Sequence, residues 1–175
     1  MPPAKFLRAQ AYASLIQGAT GLIWFCMDNA YIRSASLYGV APSVPQDYGE
    51  GGLVISEAQA YWASYAWAAI AAIVADVSRL EDVWLAPTSA LDYVITFDEE
   101  SFTWSKDPIC AILKEYEGDY YLFIANIENY PHGVQVILPI EPSVETLLGP
   151  TASIEGGTLS VELGAWGVWG GKLTT

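Results

Sequence analysis

Residues 8–25 read R-A-Q-A-Y-A-S-L-I-Q-G-A-T-G-L-I-W-F, and the order of helix, glycine stop and apolar run in them decides the fold class. Phe6, Ala9, Ala13 and Ile16 recur at spacings of three and four, which predicts one apolar face of a helix. Pro2 and Pro3 suit its first turn, where no amide donor is needed. Gly18 and Gly21 suit its exit, because a left-handed residue commonly ends a helix. Leu22, Ile23, Trp24 and Phe25 come next without a polar break. A strand apolar on both faces is usually a central parallel strand covered by helices. Helix, short turn and buried strand make half of an α/β unit.

Outward from that run, Cys26 to Ile55 holds Gly39, Pro42, Pro45, Gly49, Gly51 and Gly52 and shows no period. Loops of this length in compact domains are usually functional. Ser56-Glu57-Ala58-Gln59 fits a capping box, with Ser56 as N-cap and Gln59 three residues on. Glu57 adds a negative charge to the first turn, favourable with the helix dipole. The helix is expected to run to about Leu80. Tyr61, Trp62, Tyr65, Trp67, Ile70, Ile73, Val74 and Val77 make it apolar almost all round, which predicts burial on more than one side, with Trp62 and Trp67 in the core.

Pro87 marks a boundary, beyond which the pattern turns to period two. Leu91 to Phe97, Ala111 to Tyr116, Tyr120 to Ala125, Val134 to Leu138, Leu159 to Leu163 and Trp166 to Trp169 read as strands. Glu117-Gly118-Asp119 and Gly156-Gly157 read as hairpin turns. The expected fold class is α+β. Residues 1–86 form a helix–strand–helix segment, and residues 87–175 an antiparallel β-sandwich domain.

The opening stretch resembles the helix 7–strand 8 segment of the (β/α)8 barrel in glycoside hydrolases of the large retaining clan. Arg8, Tyr12, Leu15, Gly18, Ala19, Gly21, Leu22 and Trp24 carry the likeness. The stretch I-L-K-E-Y-E-G-D-Y-Y-L-F-I-A-N-I-E-N, ending a strand in Ala125-Asn126, resembles the C-terminal β domain of many barrel glycosidases. The resemblance covers nearly the whole chain but only the last part of such an enzyme. It implies the end of a TIM barrel followed by a sandwich. It places the loop after Phe25 on the C-terminal face, where barrel active sites are built. Trp24, Asp28, Asn29, Tyr31, Arg33, Asp47, Tyr48 and Glu50 would then lie on or above that face. Trp24 matches the aromatic that stacks on sugar in the −1 subsite. The two glutamates of retaining hydrolysis, carried by barrel strands 4 and 7, would precede this chain.

Composition narrows the classes further. The chain has 175 residues and a net charge of −13, with seven Lys and Arg together. A surface that acidic excludes nucleic acid and an anionic membrane as partners. No uninterrupted apolar run approaches a membrane span, and Met1-Pro2-Pro3 has no basic start or separate apolar core of a signal peptide, so a soluble chain is expected. Seven Trp and eleven Tyr suit carbohydrate stacking, and they equally suit a sandwich core.

Asp28, Asp47 and Glu50 are the candidate catalytic carboxylates, and Trp24, Tyr31, Arg33 and Tyr48 the candidate substrate-binding residues. The same acidic loop could simply be solvated. It lacks the alternating acidic pattern of a calcium loop, so no metal is expected. No phosphate loop occurs, since Gly49-x-Gly51-Gly52 lacks the spacing and a following Lys, and no cofactor is expected. Cys26 and Cys110 read as buried free thiols, and His132 as a surface turn residue in Tyr-Pro-His-Gly.

The expected function is glycoside-hydrolase-related, acting on or binding carbohydrate. The alternative is a non-catalytic carbohydrate-binding or oligomerisation module. One helix–strand–helix unit leaves an apolar strand with two open edges. A homo-oligomer, or association with missing barrel strands, is therefore expected.

Overall fold

The computed structural model describes residues 4–22, 57–98 and 107–175, and for residues 57–66 the backbone alone. Within them the fold is mixed α+β, with three helices followed by two antiparallel four-stranded sheets. The helices are α1 (Ala4–Ile16), α2 (Glu57–Arg79) and α3 (Glu81–Leu85). The strands are β1 (Val94–Phe97), β2 (Ile109–Tyr116), β3 (Asp119–Asn126), β4 (His132–Ile137), β5 (Ser143–Leu148), β6 (Ser153–Glu155), β7 (Thr158–Leu163) and β8 (Val168–Thr174). One sheet has the order β2-β3-β8-β5 and the other β1-β4-β7-β6.

Helix α1 ends where its glycine predicts. Gly18 takes φ 98°, its N–H donates to the Leu15 carbonyl, and the Ala19 N–H donates to the Ser14 carbonyl, both at 3.0 Å. These two bonds are the Schellman termination, and only glycine adopts that φ without strain. The buried stripe of α1 is Ala9, Tyr12 and Ile16, widened by Ala11 and Leu15. Phe6 and Ala13 are half-buried at its margins, so the stripe is rotated slightly from the expected face. Arg8 locks α1 to α2. Its guanidinium lies 2.8 Å from Asp76 and 5.2 Å from the centre of the Tyr12 ring.

Helix α2 corrects one expectation. Among its described side chains Ile70 and Ile73 are buried, whereas Trp67 is 44% and Val74 51% exposed. Burial is therefore confined to one stripe over 67–79, and Trp67 is not core. An alanine-rich helix reads apolar all round even when only one side meets a neighbour, because Ala costs little in either environment. Trp62 and the capping residue Ser56 lie outside the described side chains, as do Pro2 and Pro3.

The sheets form a layered core. Leu113, Leu122, Ile124, Trp169 and Leu173 of the first sheet face Val134, Val136, Leu159, Val161 and Leu163 of the second. The opposite face of the first sheet offers Ile112, Phe123, Ala125, Leu148 and Val168 to Ala9, Tyr12, Ile16, Ile73, Leu80, Val83 and Trp84. Trp84 stacks on Phe123 with centroids 4.0 Å apart and planes at 26°. Removing such a ring from water contributes about 1.5–3 kcal/mol. The order is thus helices, sheet, sheet.

Both predicted hairpins form. Glu117 and Gly118 link β2 to β3 with φ 53° and 83°, and Gly156 and Gly157 link β6 to β7 with φ 53° and 76°. Two consecutive positive φ values match the right-handed twist of the paired strands. Strands β5 and β6 escape the period-two reading: β5 is a sheet edge with mixed burial, and β6 has three residues. The last strand also differs. Trp166, expected to open it, sits in the preceding turn at φ 58°, and β8 runs on through Gly170 and Gly171. Those glycines hide the continuation of the strand past Trp169 from any apolar pattern. A Cβ on Gly171 would lie 2.5 Å from Cη2 of Trp169, so the indole lies across the space that glycine leaves.

The edge of β2 is covered locally. The Ser89 N–H donates to the Leu113 carbonyl at 2.8 Å, and the Glu115 N–H to the Pro87 carbonyl at 3.3 Å. Lys114 donates from Nζ to the Ala86 carbonyl at 2.8 Å, and partial burial lowers its pKa. Pairing the edge with the chain's own connecting segment blunts edge-to-edge association.

Candidate functional site

The predicted site residues fall between Leu22 and Glu57, a stretch outside the described residues. Trp24, Asp28, Asn29, Tyr31, Arg33, Asp47, Tyr48 and Glu50 all lie outside the described residues. So do Ile23 to Phe25 of the expected strand, and Cys26.

Among the described residues, the ends of α1 and α2 and helix α3 line a groove of about 380 Å³. Leu15, Leu22, Ile73, Val77 and Trp84 make it apolar, and Glu81 is its charged member. Val74 and Leu85, also on its wall, are 51% and 61% exposed. Solvent-facing aliphatic side chains bordering an apolar groove are the usual mark of a contact surface. Beneath it Tyr12 is fully buried, and its hydroxyl has no hydrogen-bond partner among the described residues. Burial pushes the Tyr12 pKa up to about 12; the nearby Arg8 guanidinium opposes the rise.

A second polar locus lies at the opposite side of the first sheet, where β3 ends. Asn126 is fully buried and ties three segments together. Its Nδ2 donates to the Tyr130 carbonyl at 2.6 Å and the Gly164 carbonyl at 3.1 Å, and its Oδ1 accepts the Glu128 N–H at 2.9 Å. This amide rigidifies the β3–β4 and β7–β8 connections. The "Ala-Asn" at the strand end was the sequence signal for it.

His132 is corrected here. It is 1% exposed at the head of β4, not on a surface turn. Period two makes the reason visible: His132, Val134 and Val136 share the inward face of β4. Its Nδ1 lies 3.3 Å from the Asp98 carbonyl, which can only accept, so the proton belongs on Nδ1. Its Nε2 lies 3.6 Å from Glu128 Oε2, longer than a hydrogen bond. The polar contacts of His132 among the described residues are to Asp98 and Glu128, with no hydroxyl or thiol to activate. The Asn126 amide at this locus holds the loops together.

Cys110 is half-buried. Its thiol points at the Ala125 carbonyl, 3.6 Å away, and burial raises its pKa, which suits an unreactive thiol. Among the described residues no cluster of three His, Cys, Asp or Glu side chains is placed to hold a metal, and no helix is long and apolar enough to cross a membrane.

No protein-family model and no curated protein matches the sequence. Among solved structures the chain is similar to Eubacterium rectale Amy13B, with TM-score 0.41 and 14% identity, covering 73% of this chain and 24% of that one. It is also similar to the alpha-glucosyl transfer enzyme XgtA, with TM-score 0.47 and 14% identity, covering 97% of this chain and 35% of that one. The chain thus spans about a quarter of the first structure and about a third of the second.

Proposed function

We propose that this chain is glycoside-hydrolase-related and acts on or binds carbohydrate, as the C-terminal portion of a barrel glycosidase. Residues 1–86 are the barrel-derived segment in this reading, and residues 87–175 the sandwich domain. The observation that carries it is the behaviour of the resembling stretch. Arg8 and Tyr12 of that stretch pack together and anchor α1 to Asp76 of α2, and Gly18 caps α1 immediately before Ala19 and Gly21. Arg8, Tyr12 and Gly18 of the pattern thus have structural tasks in the helical layer.

In this reading Trp24 is a sugar-stacking platform, and Tyr31, Arg33 and Tyr48 bind substrate from the loop beyond it. That mapping puts the catalytic glutamates outside this chain; were the chain active by itself, Asp28, Asp47 and Glu50 would be its candidate carboxylates, on a site that departs from the barrel mapping. A retaining pair must come within about 5 Å, so at most two of the three serve. The apolar groove beside Leu22 is covered by association, either with a second copy or with further barrel strands.

The test is hydrolysis of a panel of nitrophenyl glycosides and polysaccharides by the chain and by Asp28→Asn, Asp47→Asn and Glu50→Gln. Activity abolished by one substitution identifies a self-contained site. A folded chain with no activity above a blank belongs to a non-catalytic portion or module. Sedimentation analysis addresses the groove: a stable monomer at micromolar concentration would sink the association and weaken the barrel reading.

A further inference from the structure

We propose that Trp166 is a strained latch, through which the docking of α1 fixes the β3–β4 and β7–β8 connections of the sandwich. The latch joins the helical layer to the sheets and stands apart from the catalytic reading.

Trp166 lies in the β7–β8 turn at φ 58°. That left-handed conformation crowds the Cβ of any L residue, and for a bulky side chain it is an outlier. Glu117 also has a positive φ, 53°, but there the hairpin between β2 and β3 demands it. No hairpin demands it of Trp166, because β7 and β8 belong to different sheets. The same turn holds Gly164 and Gly167, yet the strained position carries an indole. Strain of this kind persists only where the surroundings over-determine it.

The surroundings do so from two layers. The Trp166 N–H donates to the Glu128 carbonyl at 2.8 Å, and its Nε1 donates to Asn129 Oδ1 at 3.1 Å. Both acceptors belong to the β3–β4 connection. The third contact comes from α1: Phe6 meets the indole edge to face, with centroids 4.6 Å apart and planes at 86°. Ring quadrupoles favour that arrangement.

The turn has little room to yield gradually. The Gly167 N–H donates to the Gly164 carbonyl at 2.8 Å, and a Cβ on Gly167 would lie 2.7 Å from that oxygen. Asn126 holds both ends of the turn, its N–H donating to the Gly167 carbonyl at 2.8 Å and its Nδ2 to the Gly164 carbonyl at 3.1 Å. With Phe6 in place the indole is trapped between α1 and Asn129, and the left-handed backbone is retained. With Phe6 withdrawn, relaxation of Trp166 toward negative φ carries its N–H from Glu128 and its indole from Asn129. The position of α1 is thereby transmitted to both connections. Tightly packed contacts of this kind switch between discrete arrangements instead of deforming smoothly.

The test is hydrogen exchange of the whole chain read by NMR, with the Trp166 indole signal identified by its loss in Trp166→Phe. Phe6→Ala should speed exchange of the Trp166 indole N–H and the Gly167 amide several-fold, up to about tenfold. The amides of the β4–β7 ladder should keep their wild-type rates. Thermal melts read folding separately, and Phe6→Leu, which keeps an apolar side chain and removes the ring, carries the test should Phe6→Ala fail to fold. Unchanged exchange at Trp166 and Gly167 overturns the latch. Equal acceleration across the β4–β7 ladder overturns it too, by making Phe6 an ordinary packing residue. The strain has its own readout in denaturant. Trp166→Gly and Trp166→Ala both lose the indole, but only glycine relieves the backbone, so the glycine variant should have an unfolding constant at least about fivefold smaller. Equal unfolding constants would show that Trp166 stores no strain and would also overturn the proposal.

Discussion

The two sheets bury their strands differently. Strand β3 carries Leu122, Phe123, Ile124 and Ala125 in succession, all fully buried, because its sheet has helices on one face and a sheet on the other. Strand β4 alternates instead: His132, Val134 and Val136 are buried, and Gln135 and Ile137 face solvent. The difference lies in the number of covered faces, not in strand direction, since both sheets are antiparallel. An unbroken apolar run thus signals cover on both sides. It indicates a parallel sheet only where helices supply that cover on both sides. The run at Leu22 to Phe25 rests on the same inference, and β3 shows that the inference has a second solution.

Substitutions can probe this contrast. Phe123→Ala removes the ring stacked on Trp84 and should cost about 3–5 kcal/mol, with the helical circular dichroism lost before the sheet signal. Simultaneous loss of both signals would show one inseparable core. Gly171→Ala should cost about 1–3 kcal/mol, because its Cβ would collide with the Trp169 ring between the sheets. Denaturant midpoints within error of wild type would disprove that close approach.

Tyr12 tests the helix-covered face by pH. Its raised pKa means that the folded state holds the phenol proton more tightly than the unfolded chain does. The stabilisation is complete below the ordinary tyrosine range, near pH 10, and is lost as pH rises toward about 12. Tyr12→Phe should flatten that part of the alkaline limb and leave neutral stability equal or higher, since it also removes a buried hydroxyl with no partner among the described residues. An unchanged limb would place the phenol in water. Gln135→Ala, on the uncovered face of β4, should change stability by no more than about 0.5 kcal/mol. A cost above about 1 kcal/mol would mean that something covers this face as well.

Features that arise from local chemistry were legible in the residues alone. The glycine stop at Gly18, both positive-φ hairpins, the long helix ending at Arg79 and the alternation of β4 and β7 depend on neighbours along the chain. Backbone sterics and a period of two or 3.6 express those neighbours directly. What escaped the pattern were β5, β6 and the part of β8 beyond Trp169, whose residues make sense only across the fold. In β8, glycines leave room for Trp169 and Phe123; in β5 and β6, edge positions ask little of the side chains. Sequence pattern pointed to the loop after Phe25 as the place for a site, but did not show that Asn126 would tie the β3–β4 and β7–β8 connections together. The packing of distant segments settled which face of each strand found cover, why His132 is buried and why Trp67 is not. Burial is a property of what a surface meets, and most of what these surfaces meet lies far along the chain.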